Sequence, residues 1–100
     1  MLVKRLKEAR KRVGISQEKL GVMAGIDEAS ASARMNQYER GRHTPDFEMV
    51  CKFAKILNVP ENYFYTLDDE TAEILLKLHR LNRKQKYDLN QLINELTISS

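Results

Sequence analysis

Arg34, Asn36 and Gln37 stand close together in the stretch Ala33 to Tyr38, and their side chains suit the reading of a patterned surface. A guanidinium donates in a planar fork, and a carboxamide both donates and accepts. The three can therefore match the N7 and O6 acceptors of guanine, or the donor beside an acceptor on adenine, in a DNA major groove. Plotted at about 100° per residue, Glu28, Ala31, Met35, Tyr38 and Glu39 fall on one side of a helix, while Ser30, Ala33 and Gln37 fall opposite. Arg34 and Asn36 flank that outer row. The candidates for base reading are Ser30, Ser32, Ala33, Arg34, Asn36 and Gln37, joined by Gln17 from the preceding helix. Taken alone, a polar outer face is also what a solvated helix shows, so the surroundings must separate the two readings.

Those surroundings are basic. Arg40, Arg42 and His43 follow the helix directly and are expected along the phosphate ridge, where they add affinity without sequence information. Ser16 is the fourth phosphate candidate, because a helix amino terminus favours an anion. Gln17 either supports that helix start or reaches on to a base edge. Other chemistry finds no support. There is no nucleophile with a positioned base, no phosphate-cradling glycine loop and no ligand cluster, and His43 and His79 are isolated. No enzyme activity, cofactor or metal is expected.

The elements that must hold this face follow from spacing. Leu2, Leu6, Ala9 and Val13 recur at helical intervals and predict a first helix over residues 2–13, ended by Gly14. Arg10 lies beside that stripe instead of opposite it. Ser16 can cap a second helix whose inner stripe is Leu20, Met23 and Ala24. Gly25 allows a left-handed turn, Ile26 is expected in the core, and Asp27 is placed to cap the third helix. Gly21 is a poor helix former and implies a close helix crossing. Thr44 and Pro45 fit the start of a fourth helix burying Phe47, Val50, Cys51, Phe53, Ala54 and Leu57, with Asn58 as its left-handed stop. Cys51 is thus expected as a reduced, buried thiol. A short fifth helix over 61–65 brings Tyr63, Phe64 and Tyr65 to close the core.

The residues Arg10, Gly14 and Ile15, Ser16-Gln17, Leu20, Gly25-Ile26, Tyr38-Glu39-Arg40-Gly41, Pro45, Ala54 and Leu57-Asn58-Val59 resemble the helix-turn-helix family of phage repressors, the Cro/CI or XRE type. The resemblance covers about residues 4–65. It implies a DNA-binding transcription regulator, usually dimeric, and an ion pair of Arg10 with Glu39 that locks helix 1 to the end of the recognition helix. Between Gly25 and Tyr38 the chain is longer than the family pattern by about one helical turn of 3.6 residues. Ala29, Ala31 and Ala33, with no Gly or Pro among them, favour a longer recognition helix over a longer loop.

Beyond Thr66 the pattern changes. Asp68 or Asp69 can start a helix carrying Ile74, Leu75, Leu78 and Leu81. Asn82 with Gln85 forms a capping box for a last helix carrying Tyr87, Leu89, Leu92, Ile93 and Leu96. Two such helices have more apolar face than a closed five-helix core can cover. Self-association through Leu78, Leu81, Leu89, Leu92, Ile93 and Leu96 is one outlet, and a hairpin folded back on its own domain is the other. Ser99 and Ser100 are expected to fray.

The chain thus reads as all-α, with a five-helix phage-repressor-like helix-turn-helix domain over 1–66 and a C-terminal extension of two amphipathic helices over 67–100. Residues 1–43 carry a balance of +5 and residues 44–100 one of −2, as suits a protein that sets one side against phosphate. With no long apolar run and no signal-like start, a cytoplasmic protein away from membranes is expected. The expected function is that of a homodimeric repressor binding a palindrome in double-stranded DNA through the helix at about 28–39. The alternative is a protein-interaction module or antitoxin-like protein holding a toxin or another regulator, with DNA contact secondary.

Overall fold

The computed structural model describes residues 1–98. It runs α1 (Val3–Val13), α2 (Gln17–Met23), α3 (Glu28–Glu39), α4 (Phe47–Leu57), a 3₁₀ segment (Glu61–Tyr65), α5 (Asp69–His79) and α6 (Arg83–Ile98). No strand occurs among the described residues, and the all-α expectation holds. The expected fraying of Ser99 and Ser100 falls outside them.

Leu6 and Ala9 of α1 enter the core as their spacing predicts, but Val13 is exposed. It is the last residue of the helix, where Gly14 turns left-handed at φ 85° and donates its N–H to the Arg10 carbonyl. α2 and α3 pack through Leu20, Ala24, Ile26, Ala31 and Met35. Gly21 makes that approach possible: a Cβ there would stand 3.0 Å from both the Ala31 Cβ and the Met35 Cγ. Met23, expected in the inner stripe, is instead exposed. It ends α2, and the chain returns to the core one residue later at Ala24, then past left-handed Gly25 at Ile26.

Only residues 24–27 separate α2 from α3, so the extra turn lengthens the helix and not the loop. Asp27 occupies the N-cap position without a side-chain cap bond. Its carbonyl takes over locally, accepting from the Ser30 amide at 3.0 Å and the Ser30 hydroxyl at 3.3 Å. Glu28, expected inward, is exposed in this first turn.

α4 starts later than Thr44 and Pro45 suggest. Asp46 is its N-cap, accepting from the Met49 amide at 2.8 Å, and Pro45 is buried in the turn before it. Phe47, expected in the core, is therefore the first helical residue and lies exposed at the rim, with its ring 6.5 Å from that of exposed Tyr65. Cys51 is half-buried, while Val50, Phe53, Ala54 and Leu57 are buried. Asn58 ends α4 left-handed at φ 55°. Tyr63 and Phe64 close the core, and the Phe64 carbonyl accepts from the Leu2 amide at 2.8 Å.

The last two helices differ sharply. Asp68 caps α5 by accepting from the Thr71 amide and hydroxyl at 2.8 and 2.6 Å, which holds its carboxyl below the usual range. The face α5 turns inward is Ala72 and Leu76, and Ile74 points to solvent. In α6 the capping box is complete, with Asn82 and Gln85 exchanging bonds of 3.0 and 2.8 Å. Yet α6 buries no residue. Leu92, Ile93 and Leu96 are exposed and Leu89 half-buried, so the folded-back hairpin is not what the chain adopts. With α6 standing off the core, the molecule measures 54 × 24 × 22 Å.

Candidate nucleic-acid interface

α3 is an amphipathic helix held on one side. Ala31, Met35 and Tyr38 are buried, and the Tyr38 ring meets Phe53 edge-on at 6.1 Å. The opposite side presents Ser30, Ser32, Ala33, Arg34 and Asn36 as exposed residues, with Gln37 half-buried at the edge. None of the side chains there is a carboxylate or a large hydrophobe.

A four-residue clamp fixes the end of α3. Arg10 Nε donates to Glu39 Oε2 at 2.6 Å and its Nη2 to Oε1 at 3.0 Å, while Nη1 donates to the Ile15 carbonyl at 2.9 Å. Gln17 Nε2 donates to the same Glu39 Oε1 at 3.2 Å. The Glu39 side chain is only 3% exposed and that of Arg10 12%. The hydrogen bonding to Glu39 is the largest influence on Arg10 and raises its pKa against the opposing pull of burial. Charge-assisted bidentate bonds of this kind are directional, so α1, the head of α2 and the end of α3 are locked in one orientation. The Gln17 amide is thereby oriented through its nitrogen, and among the described residues no side chain or backbone donor meets its oxygen.

The sequence candidates fall into distinct settings. Ser16 spends its hydroxyl capping α2, accepting from the Lys19 amide at 3.0 Å. Ser30 turns its hydroxyl back to the Asp27 carbonyl, away from an outward role in this state. Arg34 lies against Tyr38, with Nη2 donating to the phenol oxygen at 3.1 Å and the guanidinium 6.0 Å from the ring centroid. Its fork thus keeps N–H groups free for another acceptor. Arg34, Gln37, Tyr38, His43 and Thr44 line a shallow recess of about 340 Å³ where α3 meets the following loop.

That loop is built on α3 itself. Gly41, left-handed at φ 74°, donates to the Tyr38 carbonyl at 3.2 Å, and the Gln37 carbonyl accepts from the Arg42 amide at 3.0 Å. Arg40, Arg42 and His43 are exposed. Among the described residues neither Arg40 nor Arg42 has a carboxylate within ion-pair distance. Two unneutralised guanidiniums beside a helix face that carries Arg34 and no carboxylate form an anion-attracting rim. No group of three His, Cys, Asp or Glu among the described residues could hold a metal ion, and no helix there is long and apolar enough to cross a membrane.

Sequence reasoning missed the support that Tyr38 gives Arg34, although their four-residue spacing is that of facing side chains on a helix. It also missed Thr44 as part of the recess and Arg5 as a buried residue.

Comparison with known proteins agrees with this architecture. Residues 3–70 match the family model described as a helix-turn-helix domain. The chain is 30% identical over 95 residues to the HTH-type transcriptional regulator ImmR of Bacillus subtilis (strain 168), an alignment covering 94% of this chain. The chain spans 63% of the length of that relative. Its fold matches the crystal structure of transcriptional regulator BswR with a TM-score of 0.94 at 47% identity, over 99% of this chain and 98% of that one.

Proposed function

Because the chain belongs to the helix-turn-helix domain family, we propose that it is a sequence-specific DNA-binding transcription regulator, a homodimeric repressor of a two-fold symmetric operator. α3 enters the major groove. Arg34, Asn36 and Gln37 read base edges with Gln17, and Ser30, Ser32 and Ala33 lie along the floor of the groove. Ser16, Arg40, Arg42 and His43 meet the phosphates and set register. Residues 1–66 bind DNA and 67–100 pair two copies, through Leu78 and Leu81 with Leu89, Leu92, Ile93 and Leu96 of α6. Two-fold pairing places the two α3 helices about one turn of DNA apart, roughly 34 Å. A dimer seated over a promoter represses by occlusion.

The observation that carries this reading is the juxtaposition of an exposed α3 face that presents Arg34 and Asn36 and no carboxylate with the unneutralised Arg40 and Arg42 beside it. The uncovered α6 stripe favours a second reading, in which that stripe holds a toxin or another regulator and DNA contact is secondary.

Enrichment of random double-stranded DNA on the purified protein separates the two. A two-fold symmetric consensus is expected. Sequence-blind, salt-sensitive retention would reject the operator-reading role and leave the interaction module. On the enriched site, Arg42→Ala should weaken binding to every sequence and lower the salt slope by about 0.9. Gln37→Ala should relax one base pair, with a loss of discrimination of about 1–3 kcal/mol. Identical behaviour of the two variants would move the reading face elsewhere.

A further inference from the structure

Arg5 is a buried arginine that the DNA-reading face does not use, 3% exposed. Its Nε and Nη2 donate to the Thr66 carbonyl at 3.1 and 2.9 Å, and Nη2 also reaches the Leu67 carbonyl at 3.3 Å. Nη2 pairs with Asp69 Oδ1 at 2.9 Å and Nη1 with Glu8 Oε2 at 3.5 Å. The guanidinium lies 5.6 Å from the centroid of the Tyr63 ring. Thr66 and Leu67 lie in the link from the 3₁₀ segment to α5, whose first residue is Asp69. A rigid planar fork holding two successive carbonyls and the first carboxylate of a helix fixes where that helix begins and which way it leaves.

The rest of α5 agrees. Asp69, Ala72, Glu73 and Leu76 share one face: Lys4 meets Asp69 at 2.9 Å, Arg12 meets Glu73 at 3.2 Å, and Ala72 and Leu76 enter the core. Farther along α1, about 7.5 Å from Arg5 at 1.5 Å per residue, Arg10 grips Glu39 at the end of α3. α1 is therefore a bar joined at one point to the reading helix and at another to the helix that leads into α6. Since no residue of α6 is fully buried on its own chain, pairing through α6 places the two α3 helices only as firmly as α5 is held to α1.

We propose that Arg5 is a positioning residue that sets the spacing and relative orientation of the two half-sites, an inference that rests on the two-fold DNA-binding reading. Arg5 touches no base. It acts by restricting the swing of the core relative to the paired helices, which decides whether both recognition helices can engage at once.

The test compares the parent protein with Arg5→Met, which keeps a long side chain over Tyr63 and removes the fork, and with Arg5→Lys. Three quantities are read: affinity for a single half-site, dimer dissociation by sedimentation, and affinity for two-fold sites whose half-sites are moved apart or together by a base pair. The parent is expected to prefer one spacing by about tenfold, and Arg5→Met to narrow that preference to about twofold. Half-site affinity and dimerisation should be unchanged in the variant, with Arg5→Lys between. A second readout needs no DNA. Spin labels at Ser32→Cys in α3 and Lys77→Cys in α5, in a Cys51→Ala background diluted with unlabelled chain, should give a single narrow distance distribution that broadens in Arg5→Met. An unbroadened distribution, or a broadened one with the spacing preference intact, overturns the proposal. A parent protein with no preferred spacing overturns the two-fold reading itself, and this proposal with it.

Discussion

α3 and α6 both carry apolar residues at helical spacing, yet the core takes up one and leaves the other. Ala31, Met35 and Tyr38 of α3 are buried, whereas Leu92, Ile93 and Leu96 of α6 are not. The two helices are also held differently. α3 has no side-chain N-cap bond and depends on tertiary contacts: the Gly21 crossing and the Glu39 clamp. α6 is secured by neighbours in sequence, through its capping box, a Lys84–Asp88 pair at 3.1 Å, and the Thr97 hydroxyl donating to the Ile93 carbonyl at 2.9 Å. Periodicity declares that a helix has an apolar face. It does not say what covers it.

The largest effect that would break this contrast lies at the clamp. Glu39→Ala leaves the Arg10 guanidinium without its carboxylate in a site where both side chains are nearly buried. A loss of about 3–5 kcal/mol of stability is expected. Glu18→Ala, at an exposed position, should stay within about 0.5 kcal/mol. Thermal or urea unfolding of the two variants side by side checks this, and equal midpoints would show that α3 is held by packing alone.

A smaller effect on folding is expected at α6. Leu92→Asp puts a charge on the uncovered stripe and should leave the unfolding of the isolated chain within about 0.5 kcal/mol. What it should remove is the concentration dependence of the parent's midpoint, which two-state dimer linkage requires. Sedimentation of both proteins over a range of concentrations sharpens the contrast. A parent that is monomeric throughout would assign the α6 stripe to another partner.

The smallest effect concerns Asp69, on the face of α5 that meets α1. Lys4 and Arg5 hold its carboxyl below the usual 3.8. A carboxylate whose folded pKa is depressed stabilises the fold above its unfolded pKa, and that contribution disappears as pH falls through the folded value. Asp69→Asn should therefore be slightly less stable than the parent at neutral pH, the two converging below about pH 4 as the parent's carboxylate protonates. Parallel curves from pH 7 to 2 would mean that the exposed pairs contribute nothing to the seat of α5.

Much of the fold was legible because its signals are local. Gly14 and Asn58 end their helices left-handed, Ser16 caps α2, and Asn82 and Gln85 exchange their bonds, all by groups within a few residues of one another. The length of α3 followed from alanine content and the absence of breakers. The errors fall where two local solutions compete: Asp46 took the cap assigned to Thr44, and the shift carried Phe47 from core to rim. In the candidate site the row Ser30 to Gln37 was legible as a face. Where Arg34 rests was not, because Tyr38 was already counted as core.

The sequence by itself determined the helices, the ends set by Gly14, Ser16, Asn58 and Asn82, the outward polar row of α3 and the basic residues that follow it, since each depends on neighbours within about a turn or two. Only the tertiary structure decided which face of α5 turns inward. That helix has two apolar faces, one with Ile74 and Leu78 and one with Ala72 and Leu76, and hydrophobicity favours the first. The second lies inward, with Asp69 and Glu73 on its side meeting Arg5, Lys4 and Arg12 of α1, contacts across more than sixty residues of chain. The Arg5 guanidinium, at the border of the α1 stripe, becomes buried when carbonyls from a distant segment arrive to satisfy it, and no local pattern records that arrival.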